Sequence, residues 1–518
     1  MGNKYRGSAG RKGRESGDHG ERDAETADDS RESAEETVRR ATGRIDTLAD
    51  DRAEAAVDVE SPGDADALPR IGDDSPLDDV EIGDELDGFE VFVVGGAVRD
   101  GLRGGSRPPD DVDLMAVPRP EANIEDPVDE LDSREELTTI DPESSFPVFL
   151  DSRDREVALP RTEESTGAGF KAFDVHLVPP DTPVEEAVAI DMERRDLRYN
   201  AIAYNPETGA LHDPHGGRED LRDGRVRHVS DAFAEDPIRV LRMARFSARF
   251  DHEVDPETRE LAREVAPDLE AVPGDRVRME VEKAFKQADD PRRFFDEARE
   301  ADALEVALPE IAALADDTGG EGAEDADGAS AADADTDSRY ERTMDLMTDV
   351  QGRRPNDGAA LFASLGRYAG DTPESGIAAI RSAADRIGMD GDTEETMVAA
   401  RRLGDEAADT LGGDDPDADD VVALVETLDG GRTASYTPEV ALDIAAAERD
   451  DLDAERARSR VETAREVIDS VDGATVFDAE DLEPADLGPD GEVTGDEFGA
   501  LLDDYRAERY RERRSGSG

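Results

Sequence analysis

Apolar residues change rhythm twice along this chain. From residue 1 to about 75 they never recur with a sustained period. That stretch, rich in Gly, Ser, Asp, Glu and Arg, is expected to be disordered, with one short helix near Ala34–Leu48. At Phe89 the texture turns apolar, and Phe89-Glu90-Val91-Phe92-Val93-Val94 predicts a buried strand. Gly95-Gly96 predicts a tight turn, and Ala97–Leu102 the start of a helix. Val112–Val117, Arg155–Leu159 and Ala172–Val178 read as further strands, giving a small mixed sheet with a few helices. After about residue 215 helical spacing takes over, at Asp236–Arg249, Pro256–Val265, Asp275–Lys286 and Pro291–Ala301. Asp316–Ser338 is low in complexity and reads as a linker or surface insertion. Helical spacing returns at Tyr340–Gln351, Gly358–Tyr368 and Ser375–Ile387. The expected class is α+β, with a head over residues 80–215, a helical neck and body over 216–315, a linker over 316–338 and a helical tail over 339–518.

Charge qualifies this picture. The chain sets 134 Asp and Glu against 61 Lys and Arg, a formal net charge of -73. Lysine occurs only at Lys4, Lys12, Lys171, Lys283 and Lys286. High charge with low hydrophobicity can mean disorder, yet here the acids run through segments of clear apolar periodicity. A carboxylate-rich, lysine-poor surface suits molar salt, where the Debye length shrinks to ~3 Å and self-repulsion is screened. The composition points to a halophile's cytoplasmic protein. With no cysteine, disulfides, zinc–thiolate sites and thiol nucleophiles are excluded. No apolar run approaches the ~20 residues of a membrane span, and the N-terminus shows no hydrophobic signal segment. A soluble protein without a membrane partner is expected. Net charge neither supports nor excludes RNA, because phosphate affinity depends on local arginine clusters and on salt.

The densest candidate chemistry runs from Val93 to Leu114, VVGGAVRDGLRGGSRPPDDVDL. A strand ending in two glycines lets the backbone approach a triphosphate closely, and the helix that follows points its free N–H groups at the anion. Arg99, expected in the first turn of that helix, is placed to clamp phosphate oxygens. Asp111-Val112-Asp113 falls on a predicted strand, where residues i and i+2 face one side, so both carboxylates can hold Mg²⁺. Such a pair suits two-metal phosphoryl chemistry, one ion activating a hydroxyl and the other neutralising the leaving group. Alone in so acidic a chain, Asp-x-Asp would read as a solvated loop. Coupled to Gly-Gly-x-x-Arg-Asp, it reads as a site.

Val94–Asp113 resembles the signature of the polymerase-beta-type nucleotidyltransferase superfamily, specifically class II tRNA nucleotidyltransferases and poly(A) polymerases. The likeness continues, in the family's order, through Phe146–Leu150, Glu156–Glu163, Arg194–Ala203, Asp213–Gly217, Glu235–Phe246 and Arg276–Glu280. These segments are similar to the bacterial CCA-adding branch. The resemblance implies a polymerase-beta-like head and template-independent addition of C and A to the 3′ end of tRNA or another RNA. CTP and ATP would be the substrates, pyrophosphate the product and Mg²⁺ the cofactor, with no obligatory protein partner. It also implies that Gly95, Gly96 and Arg99 contact the triphosphate and that Asp111 and Asp113 bind metal. Glu156 is either a third carboxylate or simply an exposed strand glutamate. Arg195, Asp196 and Asn200 match the segment that contacts ribose, and Asp236 and Arg239 the pair that reads the base. Arg242 and Arg245 continue that spacing and serve phosphates or structure.

Base reading without a template has a physical rationale. Asp accepts from the exocyclic amine of C or A, and Arg donates to a ring nitrogen or carbonyl; G and U present the opposite pattern. On a helix, Asp236 and Arg239 at i and i+3 would share a face. Many relatives also carry a C-terminal HD domain, whose His and Asp ligands hold metal. Here Ala363-Ser364 stands in the place of that pair, and all six histidines, at 19, 176, 212, 215, 228 and 252, precede it. The tail is expected to be a degenerate HD-like scaffold that binds RNA, without phosphohydrolase activity. Asp486–Glu497 mimics an EF-hand loop, but Gly488 fills a position that needs a ligand side chain, and acidic background accounts for it. Poly(A) polymerases usually carry a basic segment after Asp-x-Asp, where this chain reads Ser145-Phe146-Pro147-Val148-Phe149. CCA addition is therefore favoured, with poly(A) or A-only addition as the alternative. A catalytically inactive RNA-binding protein would have no use for Asp111 and Asp113.

Overall fold

The computed structural model of the chain describes residues 71, 77, 80–104, 112–140, 146–165, 173–315, 339–430, 437–449, 452–480 and 494–516. The acidic extension except Ile71, the helix expected near Ala34–Leu48, Asp111, the low-complexity stretch 316–338 and the EF-hand-like residues 486–493 lie outside the described residues. Two compact units divide the chain. The first runs to Glu164 and adds Asp174–Arg195 and Tyr199–Gly217; the second takes Ser165–Phe173, Asp196–Arg198 and everything from Arg218.

The first unit is built on a sheet. Strand β1 (Phe89–Val94) is followed by helix α1 (Gly96–Leu102) and β2 (Asp113–Pro118), then α2 (Pro127–Asp132), β3 (Thr138–Ile140), β4 (Val148–Leu150) and β5 (Glu156–Ala158). A separate ribbon pairs β6 (Arg161–Ser165) with β7 (Phe173–Leu177). Helix α3 (Val184–Glu193), β8 (Ala203–Tyr204) and β9 (Leu211–His212) complete the unit. Seven strands form one sheet in the order β3-β4-β5-β2-β1-β8-β9. The run of apolar residues in β1 has a simple cause. β1 lies inside the sheet, between β2 and β8, and Val91, Phe92, Val93 and Val94 are all buried. β1 and β2 are antiparallel with Val94 opposite Asp113, while β2 and β5 are parallel with Leu114 opposite Val157. Strands β3, β4, β6, β8 and β9 were not among those expected from periodicity. Most of them are two or three residues long, too short to display it.

The second unit is largely helical. After α4 (Gly217–Asp223) and β10 (Arg225–Val226) come α5 (Ile238–Phe250), β11 (Glu253–Val254), α6 (Pro256–Val265), α7 (Gly274–Gln287) and α8 (Arg292–Glu300). Helix α6 begins where the sequence signals it. Asp255 caps the backbone N–H of Glu257 at 3.1 Å, and Pro256 opens the first turn. Helix α5 packs against α7 and α8, and Leu241, Ala244 and Phe246 of α5, Val281 and Phe285 of α7 and Phe294 of α8 are all buried. Further helices run from Arg339–Arg353 to Gly495–Gly516. Among them Gly358–Gly366 carries Ala363 and Ser364 fully buried, with Ser364 Oγ donating to Ala360 O at 2.9 Å.

Candidate active site

In the first unit the Gly-Gly turn is forced by geometry. Gly95 has φ +72°, and a Cβ there would stand 3.1 Å from Arg195 Nη1 and 3.9 Å from Asp113 Oδ2. A side chain would be strained twice over, by the backbone and by its neighbours. The same two distances bring Asp113 and Arg195 to this turn. Asp113 opens β2 directly opposite Val94, the last residue of β1, and is half-buried. One register step below the Leu114–Val157 pair, Glu156 is its counterpart on the neighbouring strand, and it is exposed.

Arg99 sits fourth in the seven-residue helix α1 and is 3% exposed. Its Nε and Nη2 donate to the two oxygens of Asp100, each at 2.9 Å, and Nη1 donates to Asn200 Oδ1 at 2.7 Å. Two residues expected to touch nucleotide are thus joined across 101 positions of sequence. Gly96 lies under the same side chain, its missing Cβ 3.4 Å from Arg99 Nη2. Arg195 Nη1 donates to the backbone oxygen of Asn200 at 3.3 Å. The structure therefore gathers Gly95, Gly96, Arg99, Asp113, Arg195 and Asn200 into one cluster. Asp113 in this cluster and Glu156 on the neighbouring strand carry hard oxygen donors of the kind Mg²⁺ takes.

The remaining expected residues lie in the second unit. Asp196 is buried. One oxygen accepts from Leu197 N at 2.8 Å, the other from Arg242 Nε at 2.8 Å and Nη2 at 2.7 Å. The Asp196 charge is the main reason that the Arg242 pKa is raised. Asp236 departs from expectation. It precedes α5 in extended backbone, with φ −122° and ψ 103°, because the helix begins only at Ile238 after Pro237. A proline restricts the residue before it to such conformations, which explains the difference. Its carboxylate is gripped by Arg276, Nη1 to Oδ1 at 3.1 Å and Nη2 to Oδ2 at 2.8 Å. Arg239 is buried and donates from Nη1 to Ala232 O at 2.7 Å.

Arg245 is 4% exposed, donating to Glu280 Oε2 at 2.6 Å and to Gln287 Oε1 at 2.9 Å, with its guanidinium 4.1 Å from the centre of the Phe246 ring. Burial lowers its pKa, with the Glu280 charge working against that shift. For Glu280, burial raises the pKa but the charges of Arg245 and Arg242 prevail and lower it. Of the two roles expected for Arg245, this geometry supplies the structural one, tying α5 to α7. Arg276 and Glu280 belonged to a quoted segment but had no role there. Nothing in the spacing of the chain tells that a residue 40 positions away holds Asp236.

The family described as "Poly A polymerase head domain" matches residues 91–227, and "Probable RNA and SrmB- binding site of polymerase A" matches residues 252–314. The Multifunctional CCA protein of Nitrosococcus oceani is 44% identical over 233 residues, covering 44% of this chain and 52% of the relative. The protein of the same name from Cupriavidus metallidurans is 34% identical over 342 residues, covering 61% of this chain and 75% of the relative. Against the former, as against several others, the chain spans about half the length of the curated relative it matches. Two solved structures, of a CCA-adding enzyme with ATP and with CTP, share the fold at TM-scores of 0.53 and 0.54 and identities of 18% and 19%. They align over 82% and 83% of this chain and 86% and 88% of theirs.

Proposed function

Because the chain belongs to the family of class II tRNA nucleotidyltransferases and poly(A) polymerases, we propose that it adds C and A to the 3′ end of tRNA from CTP and ATP, releasing pyrophosphate. One observation carries the reading. Asp113 Oδ2 and Arg195 Nη1 both reach the Gly95 turn, so a carboxylate suited to Mg²⁺ and a guanidinium suited to phosphate oxygens stand close together at the end of β1. Gly95, Gly96, Arg99, Arg195 and Asn200 bind the nucleotide's phosphates and sugar, while Asp236 and Arg239 select C and A by their Watson–Crick edges. Asp111, Asp113 and Glu156 would hold Mg²⁺, which when bound supplies charge neutralisation at the transferring phosphate and lowers the pKa of the attacking hydroxyl.

We assign residues 80–215 to the catalytic head, 216–315 to the neck and body, and 339–518 to an RNA-gripping tail. Among the described residues no helix is long and apolar enough to cross a membrane. Together with the net charge of -73, this supports a cytoplasmic enzyme working in the high salt of a halophile. The deciding experiment supplies tRNAs ending before CCA, after C and after CC, with labelled CTP or ATP, in molar KCl with Mg²⁺. Sequential addition of two C and one A is expected. Extended A tracts would make it a poly(A) polymerase, and A added only after CC an A-adding enzyme. No incorporation with any substrate would overturn the proposal.

A further inference from the structure

The last turn of α3 carries a carboxylate that no motif singles out. Asp191 is 1% exposed and sits at the negative end of its helix, in a last turn that has no basic residue. Burial and the helix dipole both oppose an ionised side chain there. It is ionised all the same. Burial, the largest influence, drives its pKa up, but the charges of Arg194, Arg195 and Arg161 prevail and bring it down to about 2.

The two oxygens divide the work between them. Oδ1 accepts from Arg194, Nε at 3.0 Å and Nη2 at 2.9 Å, and from the Arg161 backbone N–H at 3.3 Å. Oδ2 accepts only from Arg195 among these, Nε at 3.3 Å and Nη2 at 3.1 Å. With two of its nitrogens occupied, Arg195 has its third, Nη1, turned to Asn200 O and to the space beside Gly95. Arg194 is fixed in turn by Glu163, whose Oε1 accepts its Nη1 at 2.9 Å and also Arg161 Nε at 2.9 Å. An arginine is a long side chain with much rotamer freedom to lose, and a two-point grip removes that freedom before any ligand arrives.

We infer that Asp191 is a positioning residue for nucleotide binding, which touches no nucleotide itself but aims Arg195 Nη1 at the Gly95 turn. The inference rests on the nucleotidyl-transfer reading above. A purely structural Asp191 would hold α3 to its neighbours and leave substrate affinity alone, so the two roles separate in kinetics. Asp191→Asn in the full chain should raise KM for CTP and ATP about tenfold, the ~1.4 kcal/mol of one lost oriented contact, while KM for tRNA and kcat change less than about threefold. Arg194→Gln, which breaks the other half of the same carboxylate's contacts, should leave KM for CTP within about twofold of wild type. The double variant Asp191→Asn/Arg195→Gln should bind CTP no more weakly than Arg195→Gln alone. Additive losses, or an unchanged CTP KM in Asp191→Asn, would overturn the inference. Should Asp191→Asn fail to fold, Asp191→Glu serves instead. It keeps the charge but displaces the carboxylate by one methylene, and the same selective rise in nucleotide KM is expected; an unchanged KM again overturns it. A wild type without transferase activity defeats the nucleotidyl-transfer reading, whereas an active wild type with unaffected variants defeats only the role of Asp191.

Discussion

Asp236 and Arg276 form a two-point ion pair, with separations of 3.1 Å and 2.8 Å, that ties the residue ahead of α5 to the first turn of α7. The carboxylate that we propose accepts from a base amine is thus held in place by Arg276 in the absence of any base. Asp236→Ala should leave a recognition contact unmade, at ~1–3 kcal/mol, and raise incorporation of UTP or GTP about tenfold or more relative to CTP. Arg276→Ala keeps the carboxylate but frees it, so a smaller loss, about fivefold, is expected. Competition between labelled CTP and UTP reads both. A CTP:UTP preference equal to wild type in Asp236→Ala would show that Asp236 does not read the base.

Asp113 and Asp111 should be indispensable for chemistry and dispensable for folding. Alanine at either removes a carboxylate from the metal set, forfeiting several kcal/mol of transition-state stabilisation, or about a hundredfold or more in turnover. EDTA should abolish wild-type activity and excess Mg²⁺ restore it. Retention of more than about a tenth of wild-type turnover in both variants would sink the assignment.

The Arg245–Glu280 pair should behave differently. Both partners are buried, so Glu280→Ala leaves a guanidinium uncompensated in the core and should cost about 3–5 kcal/mol of stability. Base preference in the surviving folded protein should match wild type. Thermal melting in parallel with the CTP:UTP competition separates the two outcomes, and an altered preference without loss of stability would return Arg245 to the binding site.

No metal-dependent hydrolysis of 2′,3′-cyclic nucleotides is expected from the full chain with Ni²⁺, Mn²⁺ or Co²⁺. No histidine follows His252, and on the resemblance to HD-bearing relatives Ala363 and Ser364 would stand in the place of the His-Asp ligand pair. Robust hydrolysis lost on EDTA treatment would contradict this.

His228 supplies a pH dependence. Burial, and then the nearby charge of Arg198, lower its pKa from 6.5, and its Nδ1 lies 2.8 Å from Thr258 Oγ1. The unfolded chain takes up the proton first as pH falls, so the associated stability is complete above about pH 6.5 and is lost as pH drops through the folded value. Melting temperatures between pH 7.5 and 5 should fall in wild type and fall less steeply in His228→Gln. Parallel slopes would exclude His228 as the source.

What the chain determined by itself was local. Phe89–Val94 is apolar except at Glu90 because it lies between two strands. Gly95 follows because only glycine takes a positive φ that close to other side chains, and Asp255-Pro256 marks the start of α6 by a cap and a first-turn proline. Periodicity and turn chemistry act over a few residues, so they can be read from a few residues. The tertiary structure decided which groups meet across long stretches of sequence. Asp236 was expected on a helix face; Pro237 keeps it in extended backbone, and Arg276, 40 residues on, grips it. Arg99 lies in the first turn of its helix as expected, but only folding binds it to Asn200, 101 residues on. Arg245, at the same spacing as Arg239 and Arg242, closed on Glu280 in the core. Asp191 carried no signal at all, since an acid at the end of a helix resembles every other acid in so acidic a chain. Its meaning lies in the arginines that folding brings around it, because an ionised carboxylate is tolerated in the interior only where cations and N–H donors surround it.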